Sequence, residues 1–89
     1  MEQIAAAGNT EIPAYLVLIR DGFEVSASPG PDDSEQWIAK NADFKLIAES
    51  PLELLGLWSM RKERGSLWKA NGEEIEAFLS RFYPNQGKS

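Results

Sequence analysis

The residue types able to do chemistry in this 89-residue chain are carboxylates, serines, tyrosines and a short run of cations, because it contains no histidine and no cysteine. That removes thiol nucleophiles, disulfides, zinc fingers and His-dependent triads together. Two carboxylate clusters remain as acid–base candidates, Asp32/Asp33 and Glu73/Glu74/Glu76. Acid–base work needs two carboxyls converging on one substrate from environments that separate their pKa values. Both clusters instead stand at the starts of predicted helices, where negative charge complements the helix dipole. Their spacing does not match a calcium loop, and the seven glycines are too scattered for a phosphate-binding loop. We therefore expect no metal, no cofactor and no catalytic residue.

Ser50, in Ser50-Pro51-Leu52-Glu53, has no histidine or nearby lysine to activate it. It reads as a helix N-cap, with Pro51 at the first helical position and Glu53 completing a capping box. The cations Arg61, Lys62, Arg64 and Lys69 interleave with Trp58 and Trp68, putting four of the chain's nine basic residues within nine positions. Such a cluster suits nucleic acid or an acidic protein surface. It equally suits the last turn of a helix, where cations complement the dipole. A net charge of −5, from 14 acidic and 9 basic residues, disfavours nucleic acid as the main partner. Trp58 is expected in the core. Trp68, in a linker among charges, suits packing and partner contact alike.

The element that must position this cluster is a helix over 51–64, capped by Ser50 and stopped at Gly65. Its apolar residues Leu52, Leu54, Leu55, Leu57, Trp58 and Met60 cover nearly the whole circumference at about 100° per residue, so it should be covered on more than one side. Gly56 inside it costs helix stability and suggests a close backbone approach. A second helix over 72–83 opens on an Asn71/Glu74 capping box and carries Ile75, Phe78, Leu79 and Phe82 as a single stripe, expected to cover part of the first.

Asp21-Gly22 between AYLVLIR and FEVSAS predicts a type I′ hairpin over 14–28. That register puts Leu16, Leu18, Phe23 and Val25 on the core face. The other face, with Tyr15, Val17 and Ile19, is too apolar for simple solvation and is a candidate interaction surface. Gln36–Lys40 reads as part of a short helix capped by Asp33, the preferred reading, or as a short strand. Residues 43–49 alternate as a half-buried strand. Residues 1–11 read as a loose arm, and 85–89 as a mobile tail.

The hairpin together with residues 44–60, where an acidic capping box opens the Leu-rich helix, resembles HicB-type antitoxin domains. The resemblance lies in fold-building signals and assigns no residue a role; what it implies is an antitoxin-like regulator.

These readings add up to one α+β domain over 1–89, an antiparallel sheet of about three strands packed on two helices. The first seven residues lack the pattern of a signal peptide, and no apolar run is long enough to span a bilayer, so a cytoplasmic protein is expected, with no membrane contact. The functional expectation is a non-catalytic protein-interaction domain, homodimerisation included. Its candidate contacts are Arg61, Lys62, Arg64, Trp68, Lys69, Tyr15, Val17 and Ile19. The alternative is a nucleic-acid-associated regulator using 61–69. An enzyme built on carboxylates, Tyr, Ser or Lys is the third reading.

Overall fold

The computed structural model describes residues 1–85. Its elements are helix α1 (Glu11–Arg20), strands β1 (Glu24–Pro29), β2 (Glu35–Lys40) and β3 (Lys45–Ala48), and helices α2 (Pro51–Arg64) and α3 (Gly72–Phe82). The three strands form an antiparallel meander in the order β1-β2-β3. The α+β class and the three-stranded antiparallel sheet stand as expected, with three helices in place of two.

The hairpin over 14–28 does not form; its first half is α1. AYLVLIR is an unbroken apolar run, and such a run has no period that separates strand from helix. Asp21-Gly22 supplies a helix stop instead of a hairpin turn. Gly22 adopts φ 94°, its N–H donates to the Ile19 carbonyl at 3.0 Å, and the Phe23 N–H donates to the Leu18 carbonyl at 3.0 Å. This is a Schellman closure, and Phe23 and Leu18 share the core cluster, the apolar pairing that frequently accompanies the motif. Pro13 falls in the first turn, where no N–H is needed. Leu16, expected in the core, lies exposed on the far side of α1 from buried Ala14 and Leu18.

The preferred helix over 33–41 is also replaced. Residues Pro31–Asp33 make one 3-10 turn, with Asp32 in the left-handed region at φ 60°, and Glu35–Lys40 become the central strand. What decides this is pairing. Val25, Ala39 and Leu46 align across the sheet, as do Ala27, Trp37 and Ala48, and these rows face the helices. The β2–β3 turn is held by Asn41 Oδ1, which accepts the N–H groups of Asp43 and Phe44, each at 2.8 Å.

Helices α1 and α2 lie side by side and parallel on the sheet. At one end Glu11 Oε2 accepts the Leu52 N–H at 3.2 Å; at the other, Trp58 Nε1 donates to Asp21 Oδ2 at 3.1 Å. Ser50 caps α2 as expected, its Oγ accepting the Glu53 N–H at 3.1 Å. The reciprocal bond differs: Glu53 Oε1 accepts the Glu49 N–H rather than that of Ser50. Leu18, Phe23, Ala39, Leu46, Ala48 and Leu54 form the core, with Trp58 packed edge-on against both Phe23 and Phe44. The space where a Cβ on Gly56 would sit is open, so no close approach explains that glycine.

The expected covering of α2 by α3 does not occur. Among the described residues, helix α3 makes no extended contact with any other element, and every one of its residues is exposed. The radius of gyration is correspondingly 16.1 Å, against about 12 Å for a compact chain of this length. Before α1, residues 1–10 contain no helix or strand and are almost wholly exposed. Of the expected tail, 86–89 lie outside the described residues. Among those described, no helix is long and apolar enough to cross a membrane.

Candidate functional site

Two exposed apolar stripes, one on α1 and one on α3, stand out among the described residues as faces that no other element covers. On α1, helical spacing gathers Ile12, Tyr15, Leu16 and Ile19 along the face opposite Ala14 and Leu18, with Ile12 and Leu16 more than half exposed at 57% and 55%. Of the expected trio, Tyr15 and Ile19 belong to this stripe. Val17 does not; it turns toward the core side and is half-buried. A strand's period of two groups 15, 17 and 19, whereas a helix's period of 3.6 groups 12, 15, 16 and 19. The period of two therefore passes over Ile12 and Leu16, and the signal that finds them is Gly22 read as a helix stop.

At its N-terminal end the α1 stripe runs into an open groove of about 420 Å³. Ile12, Tyr15, Trp37 and Pro51 give it an apolar lining, and Glu11, Glu35 and Glu49 add three carboxylates. Ser50 also borders it, with its hydroxyl engaged in capping α2. Among the described residues no group of three acidic side chains is arranged to hold a metal ion.

Helix α3 is well built and uncovered. Asn71 Oδ1 accepts the Glu74 N–H at 2.9 Å and Glu74 Oε1 accepts the Asn71 N–H at 3.0 Å, the full capping box expected there. Arg64 Nη2 lies 2.9 and 3.0 Å from the two Glu74 oxygens, tying the end of α2 to the start of α3. These donors, the Asn71 N–H first and Arg64 second, hold the Glu74 carboxyl below its ordinary value. Beyond the cap, Ile75, Phe78, Leu79 and Phe82 line one face and Tyr83 extends it; Phe78 and Phe82 are 55% and 59% exposed. Their rings lie 5.0 Å apart, and the Arg81 guanidinium sits 5.6 Å from the Phe82 ring.

The basic cluster is brought together only in part, and each cation meets a group of its own chain. Arg61 lies over the Phe44 ring at 5.3 Å. Lys62 lies over Trp58 at 5.4 Å and 3.5 Å from Asp21 Oδ2. Arg64 is taken by Glu74, and Lys69 stands 5.9 Å from the half-buried Trp68 ring. Asp21, receiving the Trp58 N–H and flanked by Lys62 and Arg20, is held below the usual carboxylate range. What this arrangement offers chemically is apolar docking area with charged flanks.

No protein-family model, no curated protein and no solved structure matches this chain.

Proposed function

We propose that this chain is a non-catalytic, cytoplasmic protein-interaction domain whose recognition element is the apolar stripe of α3. The observation that carries the reading is that a fully capped helix presents Ile75, Phe78, Leu79, Phe82 and Tyr83 on one face, and that among the described residues no other element packs extensively against it. An isolated helix of about 11 residues is marginal in water, so α3 gains stability by laying its stripe on another surface. Each of the two stripes is by itself an apolar patch of roughly a few hundred Å², a size at which a patch on a monomer is often functional. The nucleic-acid alternative has less support. The four cations it would use already have aromatic or carboxylate neighbours, and the chain carries a net −5.

The test is the double variant Phe78→Asp/Phe82→Asp, melted beside the parent at dilutions where both are monomeric. A recognition helix leaves the core's melting temperature unchanged while association with any partner is lost. A drop of several degrees in the monomer would make α3 a structural helix and overturn the reading.

A further inference from the structure

We propose that the occupant of the α3 stripe is a second copy of this chain, with α3 of each copy lying antiparallel on the outer face of α1 of the other. This rests on the reading of α3 as the recognition element, and three observations name the occupant.

The first is matching pattern. The α1 stripe falls at Ile12, Tyr15, Leu16 and Ile19, and the α3 stripe repeats the same spacing from Ile75 to Phe82. Laid antiparallel, Ile12 meets Phe82 at one end and Ile19 meets Ile75 at the other, with every intervening apolar residue opposed by another. Each stripe spans about 11 Å along its helix, so neither overhangs.

Area is the second. The exposed side chains of the two stripes amount to roughly 1,000 Å² per copy. A reciprocal exchange covers both stripes on both copies, at most about 2,000 Å² in all, within the range for stable complexes. Pairing α1 with α1 alone covers less than half of that and leaves α3 bare. The exchange is a closed two-fold arrangement, because each copy carries both halves of the contact.

Charge is the third. Glu11 and Arg20 flank the α1 stripe on opposite sides, and Arg81 and Glu76 flank the α3 stripe on opposite sides, as about 100° per residue places them. Two helices facing antiparallel bring Glu11 beside Arg81 and Arg20 beside Glu76. Facing parallel, they bring Glu11 beside Glu76 and Arg20 beside Arg81. Only the antiparallel pairing is complementary. It also delivers Arg81 to the groove that holds Glu11, Glu35 and Glu49.

The experiment is light scattering on the full chain, on Arg20→Glu, on Glu76→Arg and on an equimolar mixture of the two variants. Neither side chain has a part in helix capping, and Arg20 is 75% exposed. Each variant alone opposes like charges twice per dimer and should weaken dimerisation roughly tenfold or more. In each mixed dimer both contacts oppose unlike charges, one through the native Arg20–Glu76 pair and the other through the two substituted positions with their signs reversed. It should dimerise more tightly than either variant alone, an outcome that no intrachain packing of α3 can produce. No recovery in the mixture overturns the exchange.

Leu16→Asp and Phe78→Asp separate this proposal from the reading beneath it. Loss of the dimer in both is the expected result. Loss in Phe78→Asp alone removes α1 as the receptor and leaves α3 as the recognition element. A parent that is monomeric at every concentration with unprotected α3 amides overturns self-pairing and leaves a different protein as the partner. A monomer with protected α3 amides overturns both.

Discussion

The indole N–H of Trp58 donates to Oδ2 of Asp21 at 3.1 Å, across 37 positions of sequence. Asp21 ends α1 and Trp58 lies in the middle of α2, so this one bond ties the helix stop at Gly22 to the ring that fills the core between Phe23 and Phe44. Lys62, 3.5 Å from the same oxygen, adds charge to it.

The bond sets a pH dependence. Asp21 is held below its ordinary value of 3.8 by Trp58 first and then by Lys62 and Arg20; Glu74 is held below 4.5 by the Asn71 N–H and Arg64. A depressed carboxyl binds its proton less readily folded than unfolded, so its stabilisation is complete above the ordinary value and fades as pH falls through the folded one. Melting temperature should be level near neutrality and fall as pH drops below about 4.5. Asp21→Asn should lower it at neutral pH and lower it less in acid. An equal deficit at both pH values would mean that the charge of Asp21 does not contribute.

Leu54 is fully buried where α2 meets the sheet, whereas Leu55 is only half-buried. Leu54→Ala should cost about 2–5 kcal/mol, and Leu55→Ala clearly less. Denaturant unfolding of the two variants ranks them, and a reversed order would mean that α2 turns a different face to the sheet.

Gly56 stands inside α2 with open space where a Cβ would go. Gly56→Ala should therefore stabilise the fold by about 1 kcal/mol. Ser50→Ala, which removes the acceptor for the Glu53 N–H, should destabilise it by about 1 kcal/mol. Thermal melts of both variants should move in opposite directions. A destabilising Gly56→Ala would reveal a close approach at that position in the assembled state.

Elements whose signals are local were legible in the sequence. Ser50-Pro51 and Asn71/Glu74 cap α2 and α3 where the sequence places the caps, and the alternation around Leu46 marks β3. Elements whose identity rests on distant partners were not. Trp37 and Ile38 suit a helix face or a strand equally, and Ala27 and Ala48, on either side in the sheet, decide between them. Asp21-Gly22 serves a hairpin and a helix stop with the same positive-φ glycine, and the run before it has no period to break the tie. The α3 stripe was plain in the sequence; that no other described element covers it was not, because a periodic pattern shows which face is apolar and not what meets it.

The most direct measurement is amide hydrogen exchange in α3 across a hundredfold range of protein concentration. Protection at 75–82 should rise with concentration in step with a solution mass approaching twice 9.9 kDa. A chain that stays monomeric with α3 protection unchanged across the range would contradict self-pairing through α3, protected amides placing the stripe against its own chain and unprotected ones leaving it for a different protein.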